Sequence, residues 1–212
     1  MSKANAANEG WDLFHAEAAY ADSIVRTSFG DIKGAIAALK RCLEFNPDYA
    51  PAILSMGSVE YQRGRHREGR RLFQSLLLLP EDTVDLCEIV DKAGSFLIQS
   101  GEYHDGLELY RAAIRRFPNV AVFHQGAGCC AGHRGLHHEA IEASKCALEL
   151  DPGNQQFVND LGWSLFEAGR LQEAKEALER AVAMDPSDTL ARENLRICLE
   201  KISNHATNEE TE

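Results

Sequence analysis

The sequence predicts an all-α protein assembled from repeated antiparallel helix pairs, and three residue series carry that prediction. Pro118, Pro152 and Pro186 stand 34 residues apart. Gly94, Gly128 and Gly162 keep the same spacing, and so do Gly101, Gly135 and Gly169. Independent series with one period mark a structural unit that is copied along the chain. Gly30 and Gly64 extend the turn series backwards, Ala35 and Gly69 hold a matching small position, and Leu39 and Phe73 a matching large one.

The units this defines are 16–49, 50–83, 87–120, 121–154 and 155–188, with Val84-Asp85-Leu86 inserted between the second and third. The last is the best formed: two amphipathic helices joined at Gly169-Arg170 and closed by Asp185-Pro186. Each residue type has a physical reason. Gly162 and Ala174 are small, so paired helices can approach closely. Leu161, Leu165 and Leu178 fill the seam between them. Gly169 permits the turn, and Pro186 ends the second helix because it has no amide hydrogen and restricts the residue before it.

Before the repeats, residues 1–10 are small and polar and read as a flexible end. From Trp11 an apolar stripe runs through Phe14, Ala18, Ala21 and Val25 at helical spacing. It predicts a first helix longer than its later counterparts, with Trp11 and Phe14 covering the open end of the stack. After Asp188, Leu195, Cys198, Leu199 and Ile202 fall at i, i+3, i+4 and i+7. They predict a capping helix over about 189–203, because a repeat array exposes an apolar face at its end. Residues 205–212 are polar and acidic and read as a disordered tail.

The order Leu161-Gly162, Leu165, Gly169, Ala174, Leu178, Ala181, Pro186 resembles the signature of the tetratricopeptide repeat (TPR) family. The resemblance covers five units, and it implies a right-handed superhelical solenoid forming a single domain over 11–204. There are departures. The first unit has Asp22-Ser23 where the family prefers Leu-Gly, the third has Gly106 where alanine is usual, and the second has Glu60 where an aromatic or leucine is common.

The resemblance also implies that the first helices of successive units line a concave groove. The groove positions here include Tyr20, Tyr61, Lys92, Gln125, Asn159, Trp163 and Phe166. Aromatic residues would supply buried area, and Gln125 and Asn159 would hydrogen-bond a partner's backbone. Small Gly126, Cys129 and Gly132 in the fourth unit face large Trp163 and Phe166 in the fifth, which suggests a recess for a bulky apolar side chain. Asp91, Asp160 and Glu167 would favour a partner of basic character. The lysine and asparagine of the family's chaperone-binding carboxylate clamp are absent: the paired positions hold Tyr20 and Ile24, Leu54 and Ser58, Asp91 and Ser95.

Other chemistry is weakly supported. No GxSxG or HExxH is present, so no enzyme is expected. Cys129 and His133 lie at i and i+4, with Glu167 within reach of the same face by resemblance, yet there is no CxxC to complete a metal site. No cofactor is expected. The basic run Arg63 to Arg71 reads as a solvated outer face, and the net charge of −11 opposes nucleic acid and anionic membrane. No run reaches the roughly 18 apolar residues of a membrane span. Six scattered cysteines without a secretory leader fit reduced thiols in the cytoplasm. The resulting expectation is a cytoplasmic, non-catalytic scaffold or adaptor that binds a peptide or helix of a partner protein. Self-assembly through Trp11 and Phe14 is the alternative, and a metal- or redox-sensing module on Cys129 and His133 a further one.

Overall fold

The structure, a computed structural model, describes residues 3–209, with side chains from Gly10 to Asn204. Among the described residues every regular element is a helix. In order these are α1 Lys3–Ser28, α2 Ile32–Phe45, α3 Ala50–Gln62, α4 His66–Leu76, α5 Leu86–Gln99, α6 Tyr103–Arg116, α7 Ala121–His133, α8 His137–Leu150, α9 Gln155–Glu167, α10 Leu171–Met184 and α11 Thr189–Glu209. Each successive pair from α1/α2 to α9/α10 is one repeat, and α11 follows. Helix α1 begins before the stretch expected to be flexible ends, and α11 continues past residue 203. The side chains of residues 1–9 and 205–212 lie outside the described ones. No helix among the described residues is long and apolar enough to cross a membrane.

The turn inside each repeat is built the same way five times. At Gly169 the backbone has φ +76°, where a Cβ would strain, and Gly30, Gly64, Gly101 and Gly135 adopt the same conformation. The Gly169 amide donates to the Phe166 carbonyl (3.0 Å) and the Arg170 amide to the Leu165 carbonyl (2.9 Å). Together these are the Schellman arrangement, which satisfies carbonyls the helix end would leave bare. The pair is then closed by a small residue facing a large one. A Cβ on Gly162 would come within 2.7 Å of Leu178 Cγ, and one on Gly57 within 2.4 Å of the Phe73 ring. Leu178 and Phe73 are buried, so neither can move aside at low cost. In the inserted stretch Asp85 takes a left-handed conformation (φ 55°) immediately before α5.

The chain divides into two compact bodies, 1–96 and 97–212. In the first, Ala16, Ala19, Leu39, Cys42, Ala52 and Met56 form a core against which Tyr20, Tyr49 and Leu72 pack. A second centre is aromatic: Tyr61 stacks on Phe73 (5.5 Å, 19°), and Phe96 approaches both rings. In the second body, Ile141, Leu165, Ala174, Leu178 and Cys198 are packed by Leu195 and Ile202 of α11. Ala191 joins Val158 and Ala181 in a further cluster. Leu195, Cys198 and Ile202 of α11 therefore cover the end of this body as the sequence predicts, whereas Leu199, expected on the same face, is 41% exposed. The other face of α11 carries Arg192, Glu193, Arg196 and Glu200 and is exposed.

The stripe on α1 is a correction to the sequence expectation. Trp11, Phe14, Ala18, Ala21 and Val25 are all exposed, with Trp11 and Phe14 at 63%. The side of α1 that packs into the body is instead Ala16, Ala19 and Ser23. Small residues let α1 lie close to α2, so the strongest apolar pattern in the helix is left facing outward.

Candidate functional site

Three helices of the second body, α7, α9 and α11, form one layer joined by side-chain hydrogen bonds. Gln125 on α7 donates to Asp160 on α9 (Nε2 to Oδ2, 2.8 Å). Asn194 on α11 donates to Asn159 on α9 (Nδ2 to Oδ1, 3.0 Å). The open side of this layer presents Cys129, Asp160, Trp163 and Glu167. Asp160, Trp163 and Glu167 stand at i, i+3 and i+7, so an indole lies between two carboxylates on one helical face. Trp163 is half-buried and meets Phe166 at 5.0 Å between ring centres. Phe166 leans on the Leu165–Leu178 core, whereas Trp163 is not part of that cluster.

The electrostatics follow from crowding and like charge. Loss of solvent raises the Asp160 carboxyl above the ordinary aspartate range, while hydrogen bonds from Gln125 and Asn159 pull it down. Desolvation, reinforced by the Asp160 and Glu167 carboxylates, pushes the Cys129 thiol up. The neighbouring Cys130 is driven to about 12 by burial, with Cys129 adding to the effect. Thiols raised in this way hold their protons at neutral pH and are poor nucleophiles. All six cysteines are free. The His133 ring stacks flat on Tyr103 (4.0 Å, 11°), and no group of three His, Cys, Asp or Glu side chains among the described residues could hold a metal ion.

The structure redistributes the residues expected to line the groove. Tyr61 is 5% exposed and belongs to the aromatic core of the first body, so it offers no contact surface. Asn159 is 3% exposed and already bonded to Asn194, so it is not free to meet a partner backbone. Tyr20 is half-buried, edge-on to Tyr49, with its hydroxyl 3.5 Å from Ser55 Oγ. Lys92 is ion-paired with Glu88 at 2.6 Å, and its side chain is 59% exposed. Gln125 is committed to Asp160, and Trp163 and Phe166 are in ring contact.

The recess expected at the small residues of α7 is filled from inside the protein. A Cβ on Gly126 would fall 2.2 Å from Tyr110 Cζ, so the space belongs to the buried Tyr110 ring of α6. Gly132 gives room to the Glu167 carboxylate, whose Oε2 would lie 2.9 Å from an added Cβ. The small residues admit intramolecular neighbours; what is left is an acidic, aromatic surface with no hollow at Gly126.

The basic run is also largely committed. Arg63 and Arg65 both reach the buried Glu60 carboxylate (3.2 and 3.3 Å), and Arg71 pairs with Glu68 at 2.8 Å. The sequence showed Glu60 as a departure from the repeat pattern without showing that two arginines of the turn close over it.

Family comparison agrees with this architecture. Two tetratricopeptide repeat models match residues 92–155 and 133–196. The chain belongs to the TPR family. Among solved TPR-type folds it is similar to YrrB, described as a TPR protein with an unusual peptide-binding site (TM-score 0.57, 20% identity, covering 82% of this chain and 89% of that one). It is similar to MamA from Desulfovibrio magneticus RS-1 (TM-score 0.59, 18% identity, 82% and 97% covered). A thermophilic TPR protein of Thermus thermophilus also matches (TM-score 0.53, 19% identity, 87% and 98% covered). Among curated protein sequences none matches significantly.

Proposed function

We propose that this TPR protein is a non-catalytic scaffold that holds a peptide or helix of a partner protein against the α7–α9 face of its second body. The observation that carries the reading is Trp163, a half-buried indole between Asp160 and Glu167 and outside the neighbouring core cluster. Aromatic surface of this kind supplies contact area, and the flanking carboxylates select a cation: a lysine or arginine can lie over the indole while its charge meets an acid. The partner segment is therefore basic and aromatic or aliphatic in character. The replaced carboxylate-clamp positions and the acidic surface both disfavour an acidic C-terminal peptide. YrrB, which shares the fold, is described as having a peptide-binding site, so the architecture supports such use. A cytoplasmic location fits the six free thiols and belongs to the same proposal.

Trp11 and Trp163 are the two tryptophans, so a Trp11→Phe background leaves Trp163 as the fluorescence reporter. Titration with a panel of peptides of about 12 residues, rich in lysine or arginine and in aliphatic residues or phenylalanine, should change its emission saturably. Sequence-matched acidic peptides should not. Calorimetry on Trp163→Ala should show affinity reduced by roughly 30-fold, as for a binding hot spot, with the circular dichroism spectrum unchanged. Equal binding of basic and acidic peptides, or unchanged affinity in Trp163→Ala, would overturn the assignment.

A further inference from the structure

The exposed stripe of α1 repeats at intervals of three and four residues: Trp11, Phe14, Ala18, Ala21, Val25 and Ser28. That is the seam of a two-helix coiled coil, and no other element among the described residues covers it, since all six positions are exposed. Val25 is 53% exposed and Phe29, which extends the stripe, 85%. Beside it His15 sits against Trp11 and Phe14 and stacks on Phe45, itself 41% exposed, so the patch continues onto α2.

We infer that this face pairs with the same face of a second copy of the chain, the two α1 helices running antiparallel about a two-fold axis between Ala18 and Ala21. The order of side-chain sizes supports that occupant. Trp11 and Phe14 stand at one end of the stripe, Val25 with the turn residue Phe29 beside it at the other, and alanines at the centre, and the spacing reads the same in either direction. Antiparallel pairing places Ala18 opposite Ala21, Phe14 opposite Val25, and Trp11 opposite Ser28 beside Phe29. The small centre lets the helices approach closely while the large ends interdigitate across the seam. The flanking positions agree: His15 is brought towards Asp22, and Glu17 towards Ile24, so no like charges are opposed.

The area fits as well. Bulky side chains of this kind, exposed to this degree, offer roughly 600 Å² of apolar surface per copy, counting Trp11, Phe14, Val25 and Phe29 with their aliphatic neighbours. That approaches the roughly 800 Å² per partner of a standard stable interface and lies at the upper end of what a monomer ordinarily leaves in one patch. The second body supplies the contrast, because the described part of its terminal helix α11 turns Arg192, Glu193, Arg196 and Glu200 outward, and its exposed leucines, Leu190 and Leu199, are nine residues apart rather than in a continuous stripe. Association through α1 is therefore isologous and closes at two copies rather than propagating into a filament.

The test is sedimentation equilibrium of the full chain under reducing conditions at concentrations from about 1 to 100 μM, the range in which an interface of this size associates. The expected mass is twice the 23.5 kDa of one chain. Ala18→Lys and Ala21→Glu are each at exposed positions, and each alone should weaken association by at least about 100-fold, as for a central hot spot, with the helical circular dichroism and melting transition retained. The double variant Ala18→Lys/Ala21→Glu should dimerise again. An antiparallel seam sets the introduced lysine of one copy against the introduced glutamate of the other, whereas a parallel seam would oppose like charges. A wild type that stays monomeric at the highest concentration, association that both single variants leave intact, growth beyond two copies, or failure of the double variant to recover would each overturn the inference. A monomer that loses an unrelated partner protein on Ala21→Glu substitution would overturn it too and assign the face to that partner.

Discussion

The Gln125 amide donates to the Asp160 carboxylate across 2.8 Å, reaching from the fifth position of one repeat to the sixth of the next. Asn159 and Asn194 stand in the same relation, 35 residues apart, and Tyr20 and Ser55 repeat it in the first body. The pairs α1 and α3, α7 and α9, and α9 and α11 are thus tied side by side through positions that would otherwise meet a ligand. The asparagine pair is the most enclosed, at 3% and 8% exposure. Asn159→Ala leaves the Asn194 amide buried without its acceptor, which costs about 1–3 kcal/mol. Adding Asn194→Ala removes the stranded donor, so the double variant should be less destabilised than the sum of the single ones. Urea unfolding of the four proteins gives the coupling energy directly.

Two carboxyls in the second body respond to pH in opposite directions. Asp160 is raised above its ordinary 3.8 by desolvation, so the folded protein holds that proton more tightly than the unfolded chain. Its contribution to stability is fully present below that ordinary value and falls as pH rises through the raised one. Glu139 is lowered from its ordinary 4.5 chiefly by the Arg111 guanidinium, which donates to both carboxylate oxygens at 2.8 and 2.6 Å. Its contribution is present above the ordinary value and is lost as pH falls through the depressed one. With both side chains 36% exposed, solvent screening keeps this pair to at most about 1 kcal/mol. Urea midpoints measured from about pH 3 to pH 7 should show Glu139→Gln flattening the acid-side loss. Asp160→Asn should raise the midpoint at neutral pH and leave the acid side unchanged.

The parts of the fold legible in the sequence were those set by backbone conformation and by close helix approach. Gly169 and its counterparts need a positive φ in all five turns, and Gly162 against Leu178 and the helix-ending prolines recur in most units, so their period stands out in the sequence. What stayed hidden depended on which side of a helix is buried. On α1 the outward stripe is bulky and the inward side is Ala16, Ala19 and Ser23, so hydrophobicity pointed away from the core. Asn159 looked like a ligand contact because its partner Asn194 lies on the helix after the last repeat, outside the five units. The small residues of α7 suggested a cavity, but a sequence does not show that Tyr110 enters beside Gly126. The adjacency of Trp163 and Phe166 was legible because three residues along one helix fix their separation.

Glu60 separates the removal of a buried charge from the removal of its partners. Its side chain is 6% exposed, while Arg63 and Arg65 are 39% and 57% exposed. Glu60→Leu deletes the buried carboxylate and frees two arginines that can return to water, so stability should change by less than about 1 kcal/mol or rise. Arg63→Ala/Arg65→Ala leaves the carboxylate in place without its countercharges, which should cost about 3 kcal/mol. For a chain of this size that lowers the melting midpoint by roughly 6–12 °C in scanning calorimetry. A double arginine variant as stable as Glu60→Leu would show that the pair does not satisfy the glutamate.

Two glycines of α7 should respond to alanine with opposite signs. Helix propensity alone favours Gly→Ala by about 1 kcal/mol at either site. At Gly126 the new methyl would lie 2.2 Å from Tyr110 Cζ, on a ring that is 1% exposed and packed near Phe123. Neither helix nor ring can yield without disturbing the core, and overpacking of this kind costs about 1–3 kcal/mol or more. The clash therefore outweighs the propensity gain, and Gly126→Ala should destabilise. At Gly132 the close atom is Glu167 Oε2, the end of an exposed and flexible side chain that can swing into solvent. The propensity gain should survive there, raising the melting midpoint by about 2–4 °C. Tyr110→Leu should relieve Gly126→Ala without affecting Gly132→Ala. A stabilised Gly126→Ala variant would mean that the Tyr110 ring does not occupy the space beside α7.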